Sequence, residues 1–239
     1  MKLGIMQPYF FPYLGYFDLI DRSDRWIVFD IVQYNAKSWM TRNRILHPTD
    51  GWQYINVPVN KMPSGTPIRE MRIKNKRAAL DRILGQLEHY RKHAPYYRCV
   101  VELVERTFEA AESDRLVELN VQSQAQSCAY LGISFYWSVC SELNLSLDNI
   151  EHAGQWALRI SQQLGAKEYI NPPGGRGIFN PREWREAGIE LSFTTPSVFH
   201  YNCAPYEFCE NLSILDVLMW NSPEAIVTQL RGKAAYSNE

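Results

Sequence analysis

The sequence has few cysteines and no long apolar run, and each shortage excludes a class of protein. Five cysteines stand among the 239 residues, without any Cys-x-x-Cys pair, which argues against a disulfide framework and against a zinc site. No apolar run approaches the roughly 18 residues that a membrane helix needs. Residues 1–7 run into Pro8 too early to form the core of a signal peptide. We therefore expect a cytoplasmic protein without a membrane span.

A surplus of charge is also missing. The chain has 25 basic and 26 acidic side chains, a net charge of −1, whereas a general nucleic-acid binder normally carries a clear basic excess. The five histidines are scattered, and no third ligand accompanies His89 and His93, so no metal site is predicted. An apolar share of 46% is typical of a globular chain, and we predict one domain over residues 1–239.

Strand and helix patterns alternate along the chain. Residues 2–6 predict a strand, 13–21 a helix and 26–29 a second strand, which is the βαβ signature of a mostly parallel sheet with flanking helices. Residues 77–131 predict helices that either form a lobe of their own or cover the sheet. Further strands are predicted at 52–59, 68–73, 133–138, 168–170 and 189–193. The fold class is therefore predicted to be α/β.

Aromatic residues and two prolines crowd the segment from Gln7 to Phe17, between the first strand and the first helix. One interpretation is a stiff hydrophobic plug, since prolines fix turns and aromatic rings fill cores. The other is a binding site, because ligands of parallel sheets gather at the carboxyl ends of strands and anions at helix N-termini. Asp30 stands at the end of the second predicted strand, so we expect the loops after Gln7 and Asp30 to meet in one pocket.

Polar residues crowd the segment 30–45, which also holds Tyr34 and Trp39. Arg42 and Arg44 offer forked donors suited to phosphate or carboxylate, and Lys37 adds a point charge. An exposed basic loop with weak surface ion pairs is the alternative. The interleaved Tyr34 and Trp39 favour a site. Residues two apart share a face on a strand but not on a helix, so either both arginines or only one would reach a ligand.

Weaker signals follow downstream. The glycine-rich turn 171–177 either cradles a phosphate with backbone N–H groups or is a plain loop. Cys140 follows a predicted strand and would suit a thioester mechanism, but a buried inert thiol is the simpler interpretation. Asp216 stands in an apolar helix, where we expect it to anchor an arginine.

These segments resemble the WbqC-like protein family. The motifs are Gln7-Pro8, Pro12-x-x-Gly15-Tyr16-Phe17, Asp30-x-x-Gln33-Tyr34, Trp39, Arg42-Asn43-Arg44-Ile45, Tyr169-Ile170-Asn171 with Gly174-Gly175, and 212–218. The resemblance implies a role in bacterial O-antigen (lipopolysaccharide) or other polysaccharide clusters, with glycine (aminoacyl) transfer to a sugar as the suggested activity.

A more distant likeness is to the Rossmannoid start of nucleotidyltransferases. There a His-x-Gly-His turn grips the nucleotide phosphates, whereas this chain has Tyr13-Leu14-Gly15-Tyr16. A tyrosine hydroxyl donates a hydrogen bond to phosphate but carries no positive charge at pH 7. The fold analogy survives this departure better than the chemistry does.

The leading functional prediction is a transferase that moves an acyl or aminoacyl group to an amino sugar or nucleotide-sugar. Asp30 would be the general base and Cys140 a weaker catalytic candidate. The predicted ligand-binding residues are Gln7, Pro8, Tyr13, Gly15, Tyr16, Gln33, Lys37, Trp39, Arg42, Asn43, Arg44, Asn171, Gly174 and Gly175. The alternatives are a nucleotidyl or adenylyl transferase with metal at Asp30, and a non-catalytic adaptor. The sequence does not identify a cofactor.

Overall fold

The computed structural model describes residues 1–195 and 198–232. The strands are β1 (Lys2–Met6), β2 (Arg25–Val28), β3 (Arg42–Leu46), β4 (Trp52–Asn56), β5 (Trp137–Val139), β6 (Glu168–Asn171) and β7 (Glu190–Phe193). The helices are α1 (Leu14–Asp21), α2 (Lys76–Leu87), α3 (Tyr97–Ala110), α4 (Leu116–Leu131), α5 (Ala153–Gln163), α6 (Pro181–Glu186), α7 (Ile214–Trp220) and α8 (Pro223–Arg231). The predicted α/β class is confirmed.

Five strands form one parallel sheet in the order β5-β2-β1-β6-β7. The chain leaves the central strand β1 toward β2 and later leaves β6 toward β7, so the direction of the connections reverses between β1 and β6. Such a reversal opens a crevice at the carboxyl ends of the strands, because the two outgoing loops part there. The fold therefore places a crevice between Met6 and Asn171.

The sheet separates two apolar layers, since alternate residues of a strand point to opposite faces. On one side Leu3, Ile5 and Ile27 pack with α5 and α6. On the other side Trp26 and Val28 belong to a larger cluster that continues through α1, α2, α3 and α4. The helices of residues 77–131 thus share one apolar core with the sheet. Burial on both faces explains why β1 and β2 are runs of apolar residues rather than alternating patterns.

An antiparallel hairpin of β3 and β4 lies beside the sheet, with Arg42 opposite Asn56 and Arg44 opposite Tyr54. The sequence pattern did not predict β3, because its polar residues obscure the alternation. The strand predicted at 68–73 is wrong. Residues Ile68–Glu70 form a 3-10 turn, and only isolated bridges, such as Val59 to Ile73, pair this segment. Among the described residues, no helix has the length and apolar content that crossing a bilayer requires.

Candidate functional site

A cleft opens at the carboxyl ends of β1, β2 and β6, where the connections reverse. Its volume of about 690 Å³ is typical of a small-molecule pocket. Aromatic side chains dominate its walls: Tyr9, Tyr13, Phe29, Trp39, Trp156, Tyr169 and Phe179. None of the described residues that line it is acidic, basic or cysteine. The cleft is therefore neutral and largely aromatic.

The polar side chains of the cleft are amides and tyrosine hydroxyls. Gln7 lies at the end of β1 and Gln33 in the loop after β2. Neither amide has a hydrogen-bond partner among the described residues, so each presents two donors and one oxygen acceptor to a ligand. Asn171 is already used, because its Oδ1 accepts from the Tyr169 hydroxyl at 2.9 Å and its Nδ2 donates to the Pro172 carbonyl at 3.1 Å.

The structure brings about half of the predicted ligand-binding residues together. Those that line the cleft are Gln7, Tyr13, Gln33, Trp39, Asn171, Gly174 and Gly175. The loops after Gln7 and after Asp30 thus meet in one cleft, through Gln7 on one side and Gln33 and Trp39 on the other. Pro8, Gly15, Tyr16, Lys37, Arg42, Asn43 and Arg44 lie outside its lining, and each has the position described below.

Side chains of α4 hold the loop that follows β1. Asn120 donates from its Nδ2 to the carbonyls of Pro8 and Met40, both at 2.8 Å. Gln124 donates to the Tyr9 carbonyl at 3.1 Å. Both amides are fully buried, so the loop carbonyls gain partners that water cannot supply. Pro8 therefore shapes the wall of the cleft through its backbone.

Asn43 and Ser213 secure the second half of the same loop. The Nδ2 of Asn43 donates to the Phe10 carbonyl at 3.1 Å and to the Phe11 carbonyl at 2.8 Å. Ser213, at the N-cap of α7, donates to the Phe11 carbonyl at 2.8 Å. Phe11 has a φ of +37°, a conformation that residues with a side chain rarely adopt, so these bonds hold a strained backbone. Asn43 lies on the buried face of β3 and positions the loop.

Gly15 and Tyr16 lie in the first turn of α1, next to the lining residue Tyr13. A Cβ at residue 15 would lie 2.5 Å from the ring of Tyr13, so a glycine there lets Tyr13 pack against the start of the helix. The Tyr16 hydroxyl donates to the Gln7 carbonyl at 2.8 Å. Both residues therefore determine where Tyr13 and Gln7 stand.

Asp30 follows the lining residue Phe29 but is wholly buried. Its Oδ1 accepts from the Ser141 backbone N–H at 2.9 Å, and its Oδ2 accepts from the Ser141 hydroxyl at 2.6 Å. Burial first, and then the Asp30 carboxylate, raise the pKa of Cys140 to about 12, so this thiol stays protonated at neutral pH. No three His, Cys, Asp or Glu side chains in the described part of the chain are grouped to hold a metal ion.

The glycine-rich turn closes the cleft on the β6 side as a 3-10 turn, Pro173–Ile178. A Cβ at Gly175 would lie 1.9 Å from Nδ2 of Asn171, whereas a Cβ at Gly174 would meet nothing within 4 Å. A Cβ at Gly154 in α5 would lie 2.1 Å from the Ile178 carbonyl oxygen. Glycines at residues 154 and 175 thus let the turn lie close against α5 and β6.

Arg42 and Arg44 lie on one face of the hairpin, next to the cleft but not in it. Arg42 stacks over the ring of Tyr54 at 4.6 Å and donates to the Lys37 carbonyl at 2.9 Å. Arg44 stacks over Trp52 at 5.0 Å and over Trp39 at 5.5 Å. Lys37 itself is exposed. Trp39 connects the two regions, because it also lines the cleft.

Asp216 does not anchor an arginine, and that expectation is wrong. Its two carboxylate oxygens accept from the hydroxyls of Tyr90 and Tyr201, each at 2.5 Å. Tyr90 in turn accepts from the Leu46 backbone N–H at 2.8 Å, which ties the buried acid to the end of β3. Burial raises the pKa of Asp216 to about 6, although the tyrosine hydroxyls act in the opposite direction.

Sequence reasoning missed several cleft residues, among them Tyr9, Phe29 and Trp156. Tyr9 and Phe29 follow the ends of strands, so the rule that ligands gather at strand ends could have identified them. Trp156 comes from the first turn of α5, far from Tyr9 along the chain, and nothing local connects the two.

Similarity to known proteins extends over almost the whole chain. The model of the WbqC-like protein family matches residues 7–228, which include every cleft residue except Ile5 and Met6. An uncharacterized protein of Mycobacterium tuberculosis is 29% identical over 226 residues, which cover 94% of this chain and 95% of the relative. No solved structure shows a significant match.

Proposed function

The chain belongs to the WbqC-like protein family, and from this premise we propose that its cleft binds an amino sugar as the acceptor of an acyl or aminoacyl group. The observation that carries the proposal is the neutral, aromatic cleft at the reversal point of the sheet, with the amides of Gln7 and Gln33 unpaired. The family resemblance supports a proposed setting in the synthesis of bacterial O-antigen or related surface polysaccharides.

A sugar ring matches the aromatic and amide lining of this cleft. A pyranose has an apolar C–H face, which packs against rings such as those of Trp156 and Tyr13, and a rim of hydroxyls. A primary amide donates and accepts at once, as a hydroxyl does, so Gln7 and Gln33 suit neighbouring hydroxyls. Fixed charges would instead favour phosphates or carboxylates, and the described cleft residues supply none.

The transfer step needs a base. The amine nitrogen of the sugar attacks the carbonyl carbon of the donor, the C–N bond forms, the bond to the leaving group breaks, and the amine proton passes to a base. Asp30 is our candidate for the base, one residue beyond the cleft wall. Because Asp30 is wholly buried and both of its oxygens accept from Ser141, it reaches the amine proton only after the Ser141 segment moves aside.

A binding adaptor is the second candidate function. The described lining residues include no acidic, basic or thiol side chain. This favours an adaptor, because such a cleft binds a sugar but offers no group that would catalyse a reaction on it. Nucleotidyl transfer within the cleft itself is disfavoured by the same observation, since it depends on charged groups around the phosphates.

Saturation-transfer NMR with methyl glycosides of glucosamine and glucose tests the binding proposal. We expect both sugars to bind, and Trp156→Ala and Gln7→Ala each to weaken binding by about tenfold, which corresponds to about 1.4 kcal/mol of binding free energy. Gln126→Ala, an amide of α4 outside the cleft, serves as the control. Binding that is the same in all variants would exclude the cleft as the sugar site.

Mass spectrometry of glucosamine incubated with protein and a glycine donor tests the transfer. Glycyl transfer that Asp30→Asn abolishes, while the sugar still binds, supports the enzyme. Sugar binding without transfer from any activated glycine donor would favour the adaptor.

A further inference from the structure

We infer that the exposed face of the hairpin next to the cleft binds a nucleoside diphosphate. We call this face the arginine platform and define it as Trp39, Arg42, Arg44, Trp52 and Tyr54. The inference rests on the proposed function in one respect, because it assigns the platform to the nucleotide part of a nucleotide-sugar whose sugar enters the cleft.

The register of the hairpin puts the platform residues on one side. Arg42 and Arg44 are two apart on β3, so their side chains point the same way. Tyr54 lies directly opposite Arg44, and Trp52 is two residues from Tyr54 on β4. The intervening residues Asn43 and Ile45 are buried, whereas Trp52 is 42% and Tyr54 37% exposed. The hairpin therefore turns an aromatic and cationic face outward.

The two guanidinium groups are fixed in place but lack anionic partners. Each donates one hydrogen bond from Nη2 to a carbonyl, Arg42 to Lys37 and Arg44 to Asn211. Stacking on the rings restrains the planes of both forks. Neither arginine forms an ion pair with an acidic residue in the described part of the chain.

The charge pattern selects an anion, and the rings select a planar group. Paired guanidinium groups bind phosphate oxygens through parallel N–H donors, and exposed tryptophans stack on bases. A nucleoside diphosphate offers both chemistries in one small molecule. The near-neutral chain disfavours a long nucleic acid, which would need a wider basic surface.

Trp39 belongs to both the platform and the cleft, so the two surfaces are continuous. The cleft is neutral, and the adjoining platform carries two arginines. A nucleotide-sugar has the same division, with a neutral ring at one end and a charged diphosphate with a base at the other. The match fixes an orientation, with the sugar toward Gln7 and the phosphates on Arg42 and Arg44.

Calorimetric titration of the full-length protein with UDP and GDP tests the inference. We expect binding that Arg44→Ala and Arg42→Ala each weaken by roughly tenfold or more. Arg44→Lys keeps the charge but removes the fork, so it should restore binding only in part. Trp52→Ala should weaken binding because the base can no longer stack. Arg98→Ala, which removes an exposed arginine of α3, controls for net charge.

The outcomes separate this inference from the proposed function. Diphosphate binding that Gln7→Ala leaves intact, with methyl glucosaminide binding that Arg44→Ala leaves intact, supports two adjoining subsites. Diphosphate binding without sugar binding would end the proposal for the cleft but not for the platform. The platform is refuted if neither diphosphate binds at millimolar concentration, if the arginine variants bind normally, or if a twelve-nucleotide RNA binds over tenfold more tightly than UDP.

Discussion

Gly174 and Gly175 are neighbours in one turn and line the same cleft, yet a methyl group added to each would meet different surroundings. At residue 175 it would overlap the Asn171 side-chain amide, which is buried and bonded to Tyr169 and to the Pro172 carbonyl. At residue 174 it would meet open space. Alanine substitutions at residues 174 and 175 therefore distinguish the effect of close packing in the turn from the effect of a methyl group at an open position.

We predict that Gly175→Ala lowers the free energy of unfolding by about 1–3 kcal/mol, because Asn171 must leave its partners. Gly174→Ala, the matched control, should change it by less than about 0.5 kcal/mol. Urea denaturation of both variants measures the difference. Equal stability of the two would mean that Asn171 is not held as the structure indicates.

The buried acid Asp216 makes stability depend on pH. Its pKa of about 6 in the folded chain lies above the ordinary value of 3.8, so the folded state holds the proton more tightly. The contribution to stability is complete below about pH 4 and is lost as the pH rises through 6. We predict that Asp216→Asn removes this fall, which is worth roughly 3 kcal/mol.

Unfolding free energies of wild type and Asp216→Asn at pH 4, 5, 6 and 7 check that prediction. Other groups affect both proteins alike, so the difference between the two curves isolates residue 216. A constant difference across this range would contradict the raised pKa.

At the scale of elements, the loop between β1 and α1 owes its shape to side chains from other elements. Asn120 and Gln124 of α4, Asn43 of β3 and Ser213 of α7 pair its carbonyls. A loop held in this way presents Gln7, Tyr9 and Tyr13 without further ordering when a ligand arrives. The loop geometry consequently depends on a few buried amides of the scaffold.

Asn120→Ala should destabilise the protein by roughly 2–4 kcal/mol, since two buried carbonyls are left without their partner. Gln126→Ala, on the same helix but without a buried bonded amide, should be near neutral. Thermal and urea unfolding give the measurement. A neutral effect of Asn120→Ala would show that water or a shifted loop satisfies the carbonyls of Pro8 and Met40.

Elements with strong periodicity were predictable, and those fixed by pairing were not. Local sequence patterns are sufficient to predict β1, β2, α2, α3 and α5. The apolar runs of these strands and the apolar stripes of these helices mark the residues that become buried. The strand β3 has the sequence Arg-Asn-Arg-Ile-Leu, and it exists through its pairing with β4 and the burial of Asn43 and Ile45. In β3, tertiary contacts therefore override a weak local strand propensity.

For the molecule as a whole, the position of the cleft follows from topology. The rule for parallel sheets placed Gln7 and the segment after Asp30 at one edge, and the structure adds Trp156 and the turn after β6 to the same edge. Local sequence patterns do not show that Trp156 and this turn lie at that edge, because their position depends on the pairing of β6 with β1. The arginines were found by residue type, but only the hairpin register shows that they face outward.

Hydrogen exchange tests how firmly the site is joined to the whole. The Phe10 N–H donates to the Trp39 carbonyl at 2.9 Å, and the Phe11 N–H to the Ser123 hydroxyl at 3.1 Å. We predict that both amides exchange only through global unfolding, at the rate of the β1 amides. Exchange at Phe10 that is much faster than at Leu3 would reveal a loop that opens on its own.

The bond between Ser213 and the Phe11 carbonyl joins residues 202 positions apart, and the bonds from α4 to the same loop span more than 110. Contact order is therefore high around the site, which predicts slow folding. A ribosome adds about 5–20 residues per second, so roughly 10–40 s pass between the synthesis of Phe11 and that of Ser213. During that interval, the aromatic segment around Phe11 has been synthesised but Ser213, which bonds the Phe11 carbonyl, has not. We expect the cleft to be among the last parts of the nascent chain to form.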